Sequence, residues 1–253
     1  MKFIDIHSHV LSQFDDGSKS DEMSRNMLNN AAKEGVTDVI CTPHFMIRKK
    51  YKASYNETQN AFDAFKQRMS DIPIRLHLGN EIAIDETTDE YLENTKIHTL
   101  ANSNYVLVEM PSWVSYNNEI DDYLYNVKML GYQIIIAHPE RYEFVQKDYK
   151  FCKRWTDEGY YLQVNQNSLF ESDKKQVAMK LIQENYISFI ASDAHHENRP
   201  ITFKEAYQLI LSKCGKEKAQ ALFYDHALCI LENKEFKASK VKEKRSWFLK
   251  FTR

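Results

Sequence analysis

The sequence predicts an α/β protein, a β/α barrel. Three observations carry this expectation. Seven short apolar runs alternate with helical stretches along the 253 residues. A His7-Ser8-His9 pair stands at the end of the first run. Nearly every other residue with metal-ligand chemistry also falls at the end of a run. The runs are continuous rather than alternating, as in parallel strands buried on both faces. Barrels of this kind place their active sites at the C-terminal ends of the strands. An open sheet would hold its outer strand ends too far apart to share one cluster, so closure is favoured.

The runs at residues 3–6, 38–42, 74–79, 105–109, 133–137, 160–165 and 187–192 read as strands. Ser20-Asp21-Glu22 is a cap for a helix that runs to Lys33 and stops at Gly35. Asn56 opens a second helix, with Ala61, Phe62, Phe65 and Met69 on one face. Further helices are expected over 117–130, 146–158, 172–184, 202–213 and 216–231. Residues 1–232 read as one domain without internal repeat or linker, and 233–253 as a basic-aromatic tail. That tail reads as a solvated segment, or as one that touches an anionic membrane surface or an acidic partner.

Composition excludes several classes. A net charge of −2 and 43% hydrophobic residues describe a soluble globular chain with no global pull toward nucleic acid. The first strand begins at once, without a signal-peptide core, and the four cysteines lack CxxC spacing, so reduced thiols in the cytoplasm are expected. Cysteine phosphatases need an Arg six positions after the Cys; here Ile47, Glu158, Gln220 and Glu235 stand there. GxSxG and P-loop motifs are absent as well.

His-x-His sets two imidazoles on one face of an extended chain. The candidate metal ligands are His7, His9, Asp16, His44, Glu81, Glu109, His138, Asp193 and His195. Nine donors exceed the needs of one ion, so two or three ions are expected, with Glu81 a candidate bridge. Mixed imidazole and carboxylate donors suit Mn²⁺, Fe or Zn²⁺ better than Mg²⁺. Clustered ions activate water at neutral pH and hold phosphoryl oxygens. Arg141 and Arg199 follow two of the ligand motifs and offer planar forks that match phosphate.

Other residues compete for these roles. Asp15 rivals Asp16 as a ligand, and Asp5 is a candidate partner for an imidazole. Glu140 and Arg141 also read as a surface pair, His77 as a core histidine, and His98 and His226 as surface groups. His196 is expected to point away from the site. Arg48, Lys49, Lys50 and Lys52 form a positive strip suited to a multiply phosphorylated peptide, with Arg48 a candidate substrate contact. Trp113 and Tyr116 are candidates for an oligomer interface.

The sequence resembles the polymerase-and-histidinol-phosphatase (PHP) superfamily. Within it, the chain is similar to the manganese-dependent protein-tyrosine phosphatases of bacterial capsule and exopolysaccharide operons. The matching residues are Asp5-Ile6-His7-Ser8-His9, Asp15-Asp16-Gly17, Thr42-Pro43-His44, Gly79-Asn80-Glu81, Glu109, Ala137-His138-Pro139-Glu140-Arg141-Tyr142, Gln163-Val164-Asn165, Ala191-Ser192-Asp193-Ala194-His195 and Asn198-Arg199-Pro200. The resemblance implies a distorted (β/α)7 barrel with three metal ions. His7, His9, Glu81 and Asp193 would hold the first, Glu81, Glu109 and His138 the second, and Asp16, His44 and His195 the third. It implies phosphate binding by Arg141 and Arg199, and a substrate in the tyrosine-rich tail of a bacterial tyrosine kinase. The rival expectations are a small-molecule phosphatase, such as one acting on histidinol phosphate, and a non-catalytic phosphopeptide-binding module.

Overall fold

The computed structural model describes residues 1–47, 51–110, 116–197, 199 and 201–236. The expectations for Arg48, Lys49, Lys50, Trp113 and the tail beyond Phe236 lie outside the described residues. The order is β1 (Phe3–Ser8), α1 (Asp21–Glu34), β2 (Val36–Cys41), β3 (His44–Phe45), α2 (Tyr55–Arg68), β4 (Arg75–Leu78), β5 (Glu81–Ala83), α3 (Thr88–Glu93), β6 (Tyr105–Glu109) and α4 (Glu119–Met129). There follow β7 (Gln133–Ala137), α5 (Glu143–Lys147), α6 (Lys150–Asp157), β8 (Tyr161–Asn165), α7 (Lys175–Gln183), β9 (Phe189–Ala191), α8 (Phe203–Cys214), α9 (Lys216–Gln220) and α10 (His226–Leu231).

This is a mixed α/β fold with parallel sheets. One sheet is ordered β1-β2-β4, the other β3-β5-β6-β7-β8-β9, and every pairing is parallel. The chain just past β9 joins β1: Asp193 N donates to His7 O and His9 N to Ala194 O, both at 2.9 Å. Two short strands, β3 and β5, follow the predicted runs that end at Thr42 and Gly79, which raises the number of described strands from seven to nine. The run ending at Thr42 meets Pro43, which has no N–H to give a ladder, and pairing resumes at His44. The run ending at Gly79 is followed by β5 at Glu81, and a Cβ on Gly79 would sit 2.7 Å from Leu100 Cδ2.

Helix termini follow local chemistry. Ser20 accepts from Met23 N and Gly35 (φ 96°) ends α1. α2 opens one residue before Asn56, because Ser54 and Glu57 form a capping box. The helix expected over 146–158 is two helices: Asp148 is extended and its carboxylate accepts from Lys150 N at 3.0 Å. A π turn at Ala221–Asp225 separates α9 from α10. Among the described residues no helix is long and apolar enough to cross a membrane.

Alternation along the strands feeds two apolar clusters. Val106, Val108, Ile134 and Ile136 pack with the helices. Tyr105, Leu107 and Ile135 pack instead with Ile4, Ile6, Ile40, Tyr161 and Phe189. Each such side chain contributes about 1.5–3 kcal/mol of burial. Residues 233–236 lie against the N-terminal ends of the strands. There Phe236 stacks on Tyr161 (4.6 Å) and His226 (4.1 Å), and the Tyr105 and Tyr161 hydroxyls donate to Lys234 O and Phe236 O at 2.8 Å.

Three histidines differ from expectation. His226 is not a surface group, since its Nδ1 lies 2.8 Å from Ser188 O beneath Phe236. His98 is buried and stacks on Tyr55 at 3.7 Å. His77 is half-buried rather than core, because Asp38 on the neighbouring strand draws its Nε2 to 3.0 Å. Tyr116 faces its own domain, packed on Phe144 and Phe151.

Candidate metal centre

All nine candidate ligands meet around one cleft of about 410 Å³, with His7 and His9 fully buried against it. His7 Nε2 lies 3.2 Å from His9 Nε2, 3.3 Å from Glu81 Oε1 and 3.4 Å from Asp193 Oδ1. His138 Nε2 is 2.9 Å from Glu81 Oε1 and 3.9 Å from Glu109 Oε2. Asp16 Oδ1 is 3.3 Å from His44 Nε2 and 3.8 Å from His195 Nε2. Donors held at about 2.0–2.2 Å from a shared ion stand roughly 3–3.5 Å apart, and most of these separations match. Glu81 joins the groups: its Oε2 is 3.2 Å from His9 Nε2 and 3.0 Å from His44 Nδ1.

The backbone is bent to make this cluster. His138 (φ 34°) and Asp193 (φ 49°), just past β7 and β9, take left-handed conformations that cost non-glycine residues about 1–3 kcal/mol. Gly17 is required for a different reason: a Cβ there would lie 2.2 Å from His9 O.

A layer of polar side chains orients the candidate ligands. Asp15 and Asp16 divide the roles that the sequence left open. Asp15 Oδ2 sits 2.7 Å from His9 Nδ1 and accepts from His44 N, whereas Asp16 faces the cleft. Asp5 does not reach an imidazole; it accepts from the His7 and Ser192 amides and the Ser192 hydroxyl. The partner of His7 Nδ1 is Gln163 Oε1, at 2.9 Å. Gln163 Nε2 donates to Asn165 Oδ1 (2.8 Å), and Asn165 Nδ2 to Asp193 Oδ2 (2.7 Å). Sequence reading gave Gln163 and Asn165 no role. Their signal was two alternate polar residues in an otherwise apolar buried strand.

Arg141 Nη1 lies 3.0 Å from Asp193 Oδ2 and Arg199 Nη2 3.9 Å from the same oxygen, and both line the cleft. Glu140 is no surface partner for Arg141. It is fully buried, accepts from Asn165 N, and burial pushes its carboxyl up to about 7. His196 is exposed but lines the same cleft, because the chain bends after Asp193 instead of continuing as a strand.

The electrostatics are those of a cation site. Burial works against ionised Glu81, yet His7 and His44 hold its carboxyl well below the usual range. Burial and the Glu81 charge push Glu109 up to about 8. Burial opposes a charged His44, but Glu81 and Asp16 raise it to about 12, while burial and His9 lower His195 to about 4. Protons therefore gather where the carboxylates converge, and a divalent cation competes for the same atoms. His44 Nδ1, Glu109 Oε1 and Asp193 Oδ1 are buried and make no hydrogen bond of good geometry, although ionisable neighbours stand within 3.0–3.4 Å. Buried polar atoms are ordinarily satisfied. Three orphans in one imidazole–carboxylate cluster fit transition-metal ions.

Parallel strands whose C-terminal ends converge on such a cluster define the class, a parallel α/β protein with a candidate polynuclear metal centre. The family model for capsular polysaccharide synthesis, CpsB/CapC, matches residues 3–232, and the chain belongs to that family. It is 32% identical over 236 residues to the tyrosine-protein phosphatase CpsB of Streptococcus pneumoniae, covering 88% of this chain and 96% of that protein. The tyrosine-protein phosphatase YwqE of Bacillus subtilis is 29% identical over 220 residues, covering 85% and 86%. A chain from the crystal structures of YwqE and pneumococcal CpsB, described as metal-dependent tyrosine phosphatases, superposes with a TM-score of 0.88 at 28% identity, over 94% of this chain and 98% of that one. A histidinol phosphate phosphatase of Lactococcus lactis shares the fold at a TM-score of 0.55 and 14% identity, over 90% and 98%.

Proposed function

We propose that the protein is a metal-dependent protein-tyrosine phosphatase. The observation that carries the reading is the meeting of nine metal-type donors with Arg141 and Arg199 at one cleft. Membership of a family whose named relatives are tyrosine-protein phosphatases supports it. The scaffold is read as a distorted (β/α)7 barrel, in which β2/β3 and β4/β5 each count as one interrupted strand and the β9–β1 hydrogen bonds close the ring.

His7, His9, Glu81 and Asp193 would hold one ion, Glu81, Glu109 and His138 a second, and Asp16, His44 and His195 a third. Bound ions supply Lewis acidity and make water nucleophilic at neutral pH, which Mn²⁺, Fe or Zn²⁺ can do, with Mn²⁺ the favoured ion. The chain's own groups do the rest. Arg141 and Arg199 take the phosphoryl oxygens, and Asp193 orients both guanidiniums. Asp15 and Gln163 bind the Nδ1 atoms of His9 and His7 and leave each Nε2 turned to the cluster. The phenol leaving group, with an ordinary pKa of about 10, departs more readily than an alkoxide.

The substrate is read as the phosphorylated, tyrosine-rich tail of a bacterial tyrosine kinase, met in the cytoplasm, with control of capsule or exopolysaccharide synthesis as the consequence. The test is phosphate release from such a peptide beside histidinol phosphate, before and after chelation and Mn²⁺ return. Mn²⁺-dependent turnover of the peptide, with little of histidinol phosphate, is expected. The reverse preference moves the enzyme to small-molecule metabolism.

A further inference from the structure

A second cavity, of about 220 Å³, adjoins the metal cleft and has no part in holding metal. Both cavities are lined by His196 and Arg199. The floor of the second is apolar: Met27 of α1, and Ala194 and Ile201 from the segment after β9, all buried. Its rim is polar and preformed. Asn26 and Asn30 lie one turn apart on α1; Asn26 Nδ2 donates to Glu197 Oε2 at 3.1 Å and Asn30 Nδ2 to Ile201 O at 3.2 Å.

Size and chemistry narrow the ligand. Pockets for whole drug-sized molecules span roughly 300–1,000 Å³, so this cavity is scaled to one large side chain. An apolar floor penalises a buried charge; the Arg199 guanidinium in the shared wall faces Asp193 of the metal cleft, while Glu197 at the rim repels an acidic residue. An extended peptide points residues two apart to the same side, about 6–7 Å from each other. The two cavities share a wall of His196 and Arg199, so with phosphotyrosine in the metal cleft a same-side residue one such step along the peptide is matched to the neighbouring opening.

Resting on the phosphatase reading above, we infer that this cavity is a specificity subsite for an uncharged, aromatic-sized side chain two residues from the phosphotyrosine. Met27 and Ile201 hold its apolar body, and the Asn26 and Asn30 amides stand at the rim, where a hydroxyl or backbone carbonyl passes.

The test uses the metal-loaded full chain and phosphotyrosyl peptides carrying Phe, Tyr, Gly or Asp at the first and second positions on either side. An aromatic residue at a second position is expected to raise kcat/KM about tenfold over Gly, the return on burying one ring. Asp there is expected to gain nothing. Asn26→Trp and Asn30→Trp fill the cavity from two points of the rim, so one remains informative where the other fails to fold. Either is expected to erase the gain while leaving hydrolysis of free phosphotyrosine unchanged. A flat preference at both second positions, or a gain that survives both filled variants, overturns the subsite while the phosphatase stands. Turnover of histidinol phosphate with none of any phosphotyrosyl peptide overturns the phosphatase reading and the subsite with it.

Discussion

The two ends of the same strands are built on opposite rules. At the N-terminal ends Tyr105, Tyr161 and Phe189 are closed over by Phe236 and His226, and both tyrosine hydroxyls find carbonyl acceptors. At the C-terminal ends, carboxylates and imidazoles crowd together, buried atoms lack partners, and His138 and Asp193 hold costly left-handed conformations. A fold that satisfies one end so thoroughly has no steric need to leave the other frustrated. The strain and the orphaned atoms mark where a ligand completes the structure, and the apolar end supplies the stability that tolerates them.

The sharpest way to break this comparison is to cut each end. Asp193→Ala removes a carboxylate that both arginines and three imidazoles face, and turnover is expected to fall about 10³-fold or more while the fold persists. Phe236→Ala is expected to do the reverse, costing about 2 kcal/mol of stability and lowering the melting temperature by about 4–8 °C, with kcat unchanged. Full activity in Asp193→Ala sinks the site assignment. A large turnover loss in Phe236→Ala, measured well below its melting point, sinks the division of labour.

The two ends were not equally legible in the sequence. Imidazole and carboxylate side chains that recur at the ends of apolar runs are chemically rare, so the candidate ligands His7, His44, Glu81, His138 and Asp193 could be picked out one by one, and the fold brings them to one cleft. Continuous apolar runs also marked seven of the nine described strands. The short strands that follow Pro43 and Asn80 were not read: Pro43 acts locally through its missing N–H, whereas Gly79 acts through a close approach to distant Leu100 that sequence does not show. The docking of Phe236 was hidden for the same reason: a lone aromatic in a basic stretch reads as tail until Tyr161 and His226 come beneath it. Gln163 and Asn165 lay between these cases, visible as polar residues in a buried strand but with partners over 150 residues away in one case.

That pair gives a sharper test of how the cleft is held. Gln163→Ala leaves His7 Nδ1 without its acceptor and unlinks Asn165, while removing nothing from the ligand set. A 10–100-fold loss of metal affinity is expected, read by chelator competition rather than by turnover. Unchanged affinity in a folded variant would mean that packing alone orients His7.

The smallest effect is expected at Asp38, a carboxylate in the N-terminal half of the sheet that is as fully bonded as the cleft carboxylates are not. Arg75 grips it with Nε and Nη2, each at 2.7 Å, and His77 and Thr37 add further contacts. Burial pushes the Asp38 carboxyl up, but the His77, Arg75 and Thr37 hydrogen bonds outweigh it and hold the group well below its ordinary value of 3.8. A carboxyl depressed in the folded state adds stability above its unfolded pKa and loses it as pH falls toward the folded value. Because Arg75 is largely exposed, Asp38→Asn is expected to cost only about 1 kcal/mol at pH 7. The gap between variant and wild type, followed by denaturant unfolding, should then narrow as pH drops below 3.8. A gap that stays constant down to pH 3 would assign the loss to packing around Asp38 rather than to its charge.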